Sequence, residues 1–516
     1  MSSLAAFINE YIAGLSGIYY VRQLIAAVLL FVFGALLTDL FVKDEVSWLK
    51  RSVLAFPSGI SAFAITAYAM LVLRIPYNSI SVTAVISAEA AGAALALAMS
   101  KRTGRVGKYR RHMIITAAAA IVIAAFAVSG ITPVSISNDT MYYFKRYPDA
   151  IVYYGGLRDQ FDFFLTDTGL GVVSLDTLPA LFGFGDTFGI RECFHINFLL
   201  FFFATVQERA QKHLSLKDSY VFAAVVTATL ATATPFVILG HWALANMYFM
   251  ELFFIAAYTA MDHEADAAGA ASVMLVALGL LRIEGTLFVI WLIVCVCAYT
   301  GAGKIMASHV VLPLGILFGL YCLNVFARFY VLDNMYLFLS PVKAVLIICM
   351  MIGAGIYLAF IQNRLPDNIS RHLSLIYIGA LLAGNIVLAL YDGTHYFGNL
   401  AAFRDNLFRQ SGWGMFPYLV IASSAFLIFE CAVSCFTKAN RKYPSGFAIT
   451  LAAGFLLIVI AASFGRGDLL AEDVGDSGNR VLLQIVPLIV MALGEQFLYV
   501  LCYNHVDGET DGKRGD

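Results

Sequence analysis

The chain is 516 residues long, with a formal net charge of −1, 60% apolar residues and only 13% charged ones. Soluble proteins carry about 25% charged residues to cover their surface, so a string of soluble domains is excluded, and the near-zero charge offers nucleic acid no electrostatic footing. Apolar runs near the length a helix needs to cross the hydrocarbon layer recur throughout, and the mean hydropathy is +0.81. The sequence reads as an all-α polytopic membrane protein.

Residues 1–17 read as an interfacial stretch. Apolar runs follow at 18–40, 54–73, 80–100, 113–131, 192–207, 219–239, 245–260, 267–281, 285–300, 308–329, 343–361, 373–391, 414–434, 446–463 and 481–503. These predict about fifteen transmembrane helices, the runs between 245 and 300 being short enough to merge or break. The first run starts near Ile18, is too long for the apolar part of a signal peptide, and leads into further spans. No cleavable leader is expected. All eight cysteines fall within apolar runs, which predicts small buried hydrophobes rather than disulfides or metal ligands.

Orientation follows from lysine and arginine in the loops. The stretch KRTGRVGKYRRH at 101–112 has six basic residues and no acid, so it is expected in the cytoplasm. Alternation then puts most basic loops and the C-terminus inside, and the N-terminus outside if the count is odd. Three loops on the outer side are long: 132–191, 392–413 and 464–480. Loops well beyond about 12–15 residues invite a function, so chemistry is expected on that face. No separate soluble domain and no internal repeat stand out.

The first outer loop holds Asp139, Asp149, Asp159, Asp162, Asp167, Asp176 and Asp186 beside Lys145, Arg146, Arg158 and Arg191. Most of these read as a solvated face. Asp139 differs because it sits a few residues past the membrane exit, next to Asn138 and ahead of Tyr142 and Tyr143. A carboxylate there can take a proton from a hydroxyl at headgroup level, or it can simply tether the loop. The glycine-punctuated stretch 175–190 predicts a short helix or re-entrant turn against the membrane surface. Charged residues within or at the ends of spans are Glu89, Glu251, Arg282, Glu284, Arg328, Glu430 and Glu495, each expensive in hydrocarbon. Glu251 and Glu430 read as packing or interfacial residues. Arg282 and Glu284, before Gly285, read either as an ion pair at a helix turn or as a cation for an anionic headgroup. Arg480, at the start of the last span, can pair with phosphate or anchor the helix.

Asp262, His263, Glu264 and Asp266 cluster at 260–269 without the two-histidine spacing of a zinc site, and read as a polar helix cap. No phosphate-binding glycine loop and no nucleophile elbow is present.

Taken together, ITPVSISNDTMYY, Arg282-Ile283-Glu284-Gly285 and Asp476-Ser477-Gly478-Asn479-Arg480 resemble motifs of the GT-C fold membrane glycosyltransferases that use polyprenyl-phosphate sugars. The resemblance covers roughly 112–500 and departs from the family in its Asn138-Asp139 pair and in three extra spans at the front. It implies Asp139 as catalytic base, with Asp149, Asp162 or Asp167 as a second acid, and 170–190 as the family's short amphipathic helix. It implies Arg282, Arg480 and Asn479 as the donor-phosphate site. The implied division is 1–111, N-terminal membrane helices; 112–503, a GT-C-like catalytic region; and 504–516, a cytoplasmic tail. The implied activity is inverting sugar transfer from a polyprenyl-phosphate donor to a cell-envelope glycan or lipid-linked acceptor. It would act on the extracytoplasmic face of a plasma or inner membrane. A divalent metal has no evident ligand set. The alternatives are a polysaccharide polymerase or ligase using lipid pyrophosphate, and a non-enzymatic lipid or glycan transporter.

Overall fold

The computed structural model describes residues 18–42, 48–99, 146–157, 170–181, 188–240, 245–261, 268–282, 285–300, 312–326, 341–366, 369, 372–409, 413–437, 445–464 and 480–511. Every regular element among them is helical. In chain order these are α1 (Ile18–Phe41), α2 (Trp48–Val72), α3 (Ser79–Met99), α4 (Tyr147–Tyr154), α5 (Leu170–Leu181), α6 (Phe188–Gln211), α7 (Leu216–Thr232), α8 (Thr234–Gly240), α9 (Ala245–Met261) and α10 (Ala268–Leu281). Then come α11 (Gly285–Thr300), α12 (Leu312–Phe326), α13 (Pro341–Ile356), α14 (Leu373–Tyr391), α15 (Gly393–Phe408), α16 (Phe416–Thr437), α17 (Gly446–Phe464) and α18 (Val486–Asp511).

Five helices among the described residues are long and apolar enough to cross a membrane: Leu49–Val72, Ser79–Met99, Leu373–Tyr391, Gly446–Phe464 and Leu482–Leu501. The other apolar helices are shorter. These features mark a membrane protein. The expected run 113–131 lies outside the described residues, as do the stretches 1–17, 262–267 and 465–479.

Three expectations are corrected. The run 219–239 is broken at Ala233, whose extended backbone ends α7; Pro235, in the first turn of α8, cannot donate a backbone hydrogen bond back to α7. The supposed loop 392–413 is mostly the helix α15, because the Asp392 side chain accepts from the His395 amide at 3.0 Å and caps it. The cysteines are not uniformly buried: Cys193, Cys295 and Cys297 are, Cys322 is half-buried and Cys349 is exposed on α13. Helical runs have an outer face in a membrane protein, and Cys349 is on it.

The chain divides into two compact units, residues 1–201 with 242–290 and 303–361, and residues 202–241 with 291–302 and 362–516. In the first, α1 and α2 approach so closely at Gly34 and Gly59 that a methyl group at either would overlap the facing carbonyl, of Ala55 or Leu30. Phe31 stacks on Phe56 with ring centroids 4.3 Å apart beside these glycines. Small residues permit this backbone approach where lipid provides no hydrophobic push. α2 also packs on α10, α10 on α9, and α5 on α2, α4 and α10.

In the second unit side-chain amides tie helix to helix. Asn385 on α14 donates to the Leu457 carbonyl of α17 at 3.2 Å and accepts from the Tyr396 hydroxyl at 3.1 Å. Asn399 on α15 donates to the Ser463 carbonyl at 3.3 Å. Gln496 on α18 donates to the Ser423 carbonyl of α16 at 3.2 Å. The Trp291 indole donates to the Leu451 carbonyl at 3.1 Å, with its ring against Gly454.

Candidate functional site: a charged end of the first unit

α5 is the centre of this end. At roughly 1.5 Å per residue its twelve residues are too short to cross a membrane. All of them except Ala180 are buried, so the first long loop sends a helix into the protein instead of laying an amphipathic one on a surface. Gly171 lets it in: a methyl group there would overlap the Leu280 carbonyl and crowd Leu281 at the end of α10. Tyr77, in the turn between α2 and α3, holds α5 from another side. Its hydroxyl lies 2.6 Å from the Thr177 hydroxyl, and its amide donates to the Gly155 carbonyl at the end of α4 at 3.0 Å.

From α5 a chain of charged groups runs inward. Asp176 accepts from Arg191 at the start of α6, both side chains being almost wholly buried. Burial pushes the Asp176 carboxyl up to about 6, against the pull of Arg191, which acts the other way. Arg191 also lies over the Tyr248 ring of α9, 4.7 Å from its centroid, a cation–π contact that partly replaces lost water. One turn deeper on both helices, His195 Nδ1 is 2.6 Å from Glu251 Oε1. Glu251 is fully buried. Phe194, Phe198 and Phe254 pack around this level, Phe194 against Tyr248 and Phe198 edge-on to Phe254.

Arg282 follows the last turn of α10, where its guanidinium donates to the Asn246 side chain at the start of α9. It is half-buried. Gly285 makes the tight α10–α11 turn, since any side chain there would meet the Leu278 and Gly279 carbonyls. Arg282 is thus the residue after Leu281, which Gly171 of α5 crowds.

Of the other expected site residues, Asp139, Asp162, Asp167, Asn479 and Glu284 lie outside the described residues. Asp149 is exposed in the first turn of α4, where a carboxylate favours the helix dipole. Arg480 stands ahead of the short turn Leu482–Ile485 that leads into α18 and belongs to the second unit, whereas Arg282 belongs to the first. Glu251, expected as a packing or interfacial residue, is instead a partner of His195. Glu89 accepts from the Thr66 hydroxyl at 2.7 Å, and Glu495 pairs with Arg209. Sequence reading placed Arg191 only among the loop cations and passed over His195. Their signal was the four-residue spacing within RECFH, which puts both on one helix face. Among the described residues no group of three or more histidines, cysteines or acids is arranged to hold a metal.

Comparison of the chain with protein-family models, curated proteins and solved structures finds no match.

Proposed function

We propose that the protein transfers a sugar from a polyprenyl-phosphate donor to a glycan or lipid-linked acceptor at the extracytoplasmic side of a cell membrane, with Arg282 receiving the donor phosphate. The observation carrying this reading is the meeting of α5, from the first long loop, with the α10–α11 turn that bears Arg282. A half-buried guanidinium beside a loop-derived helix suits a charged headgroup whose tail stays among apolar helices. In this reading Asp139 removes the acceptor proton, with Asp149, Asp162 or Asp167 as a second acid. Arg282 stabilises the charge that develops on the leaving phosphate.

Reconstituted protein tests the reading by binding of polyprenyl-phosphate sugars. Arg282→Ala is expected to weaken donor binding on the order of 10- to 100-fold, and Arg282→Lys to restore part of it as a point charge without the paired geometry. Unchanged binding by Arg282→Ala removes Arg282 from the site, and failure to bind any such lipid removes the reading itself. The charged interior around His195 and Glu251 favours a second reading, a proton-coupled lipid or glycan transporter. Movement of a lipid-linked glycan with no new glycosidic bond would select it.

A further inference from the structure

We propose that His195 and Glu251 form a buried proton-binding site, which holds one proton between Nδ1 and Oε1 and exchanges it as the charge on the neighbouring Asp176–Arg191 pair changes. It does not depend on the sugar-transfer reading.

The pair is made from one turn of α6 and one of α9, and its heavy atoms are 2.6 Å apart. Nδ1 and a carboxylate oxygen at that distance need a hydrogen between them. Oε2 of Glu251 has no hydrogen-bond partner among the described residues. With its second oxygen unpaired in the interior, a full carboxylate there is poorly compensated, so the pair is suited to hold a proton.

The charges around the pair explain why its proton can be exchanged. On α6 these are Arg191, Glu192 and Cys193; on α5, Asp176; on α9, Tyr248. α10, packed against α9, has no titratable side chain between Ala268 and Leu281. α2 reaches α6 through the Val53 carbonyl, bonded by Asn197, and its nearby Arg51 is held by Asp39. Arg191 is the cation that acts on Glu251, and it already faces Asp176. Asp176 is bonded to Arg191, and Glu251, one turn from the Tyr248 ring that Arg191 covers, lies within the field of the same guanidinium. With Asp176 ionised, Arg191 is compensated and Glu251 keeps its proton. When Asp176 is neutralised, Arg191 compensates the Glu251 carboxylate, and the proton passes to solvent. Proton release at the pair is therefore tied to the charge on Asp176 of α5.

Infrared spectroscopy of the purified full-length protein, titrated by pH, reads the carbonyl stretch of protonated carboxyls. The expected result is a titrating band that Glu251→Gln abolishes and His195→Gln shifts. Asp176→Asn should move its midpoint to lower pH by on the order of one unit, because a nearby negative charge is gone. A band that survives Glu251→Gln, or does not move in Asp176→Asn, overturns the proposal. If Glu251→Gln fails to accumulate, carbon-13 labelling of all glutamates in the wild-type protein decides instead. An isotope-shifted band that titrates and moves in Asp176→Asn supports the site, and its absence overturns it.

Discussion

Both units join helices through side-chain amides, Asn197 reaching the Val53 carbonyl in the first, but they differ in the charges they bury. In the first, ionisable pairs are buried: Asp39 with Arg51 at 2.5 Å, Asp176 with Arg191, and His195 with Glu251. In the second, neutral amides of Asn385, Asn399 and Gln496 reach backbone carbonyls of neighbouring helices, and the Arg209–Glu495 pair leaves its arginine one-third exposed. Amides are sufficient to join membrane helices, at roughly 0.6–2 kcal/mol each. Buried ion pairs do not improve on that, since desolvation consumes most of their attraction. Assembly alone therefore does not account for the charges in the first unit.

The comparison breaks most sharply at Asp176. Asp176→Ala strands Arg191 without its carboxylate and is expected to cost about 3–5 kcal/mol, read as a lowered unfolding temperature in detergent. A loss below about 1 kcal/mol would make the pair no more important than a surface bridge.

A second test uses pH. The folded carboxyl of Asp176 is raised from 3.8 to about 6, so between those values the folded protein holds a proton that the unfolded chain has released. Its contribution to stability is fully present below about pH 4 and is lost as pH rises through 6. Relative to Asp176→Asn, the wild type should therefore gain stability as pH falls from 7 to 4. A difference that stays flat or runs the other way refutes the assignment of that carboxyl.

The smallest effect is expected in the second unit. Asn385→Ala removes the bond to the Leu457 carbonyl and the partner of the Tyr396 hydroxyl, for about 1 kcal/mol and no dependence on pH. An Asn385→Ala loss as large as that of Asp176→Ala would erase the distinction between the units.

How much was legible beforehand differs by region. Apolar runs such as 285–300, 373–391 and 446–463 become helices with nearly those ends, because a continuous apolar stretch between polar breaks has one good solution in hydrocarbon. α15 was missed because its polar sequence GTHYFGNLAAFRDNLF looks like a loop until Asn399, Asp405 and Asn406 are seen buried on one face. α5 was expected only as a surface element, since LGVVSLDTLPAL gives no sign of which neighbour covers it.

By itself the sequence determined a helical membrane protein, the positions of most helices, and the Arg-x-Glu-Gly turn that carries Arg282. These are local properties of hydropathy, helix length and glycine. The tertiary structure alone decided that α5 is buried against α10, that Arg191 faces Asp176 and Tyr248, and that His195 meets Glu251 fifty-six positions away. A charge in an apolar run announces only that it needs a partner. Which partner depends on how the helices are rotated and paired, and that is set by packing across the whole unit.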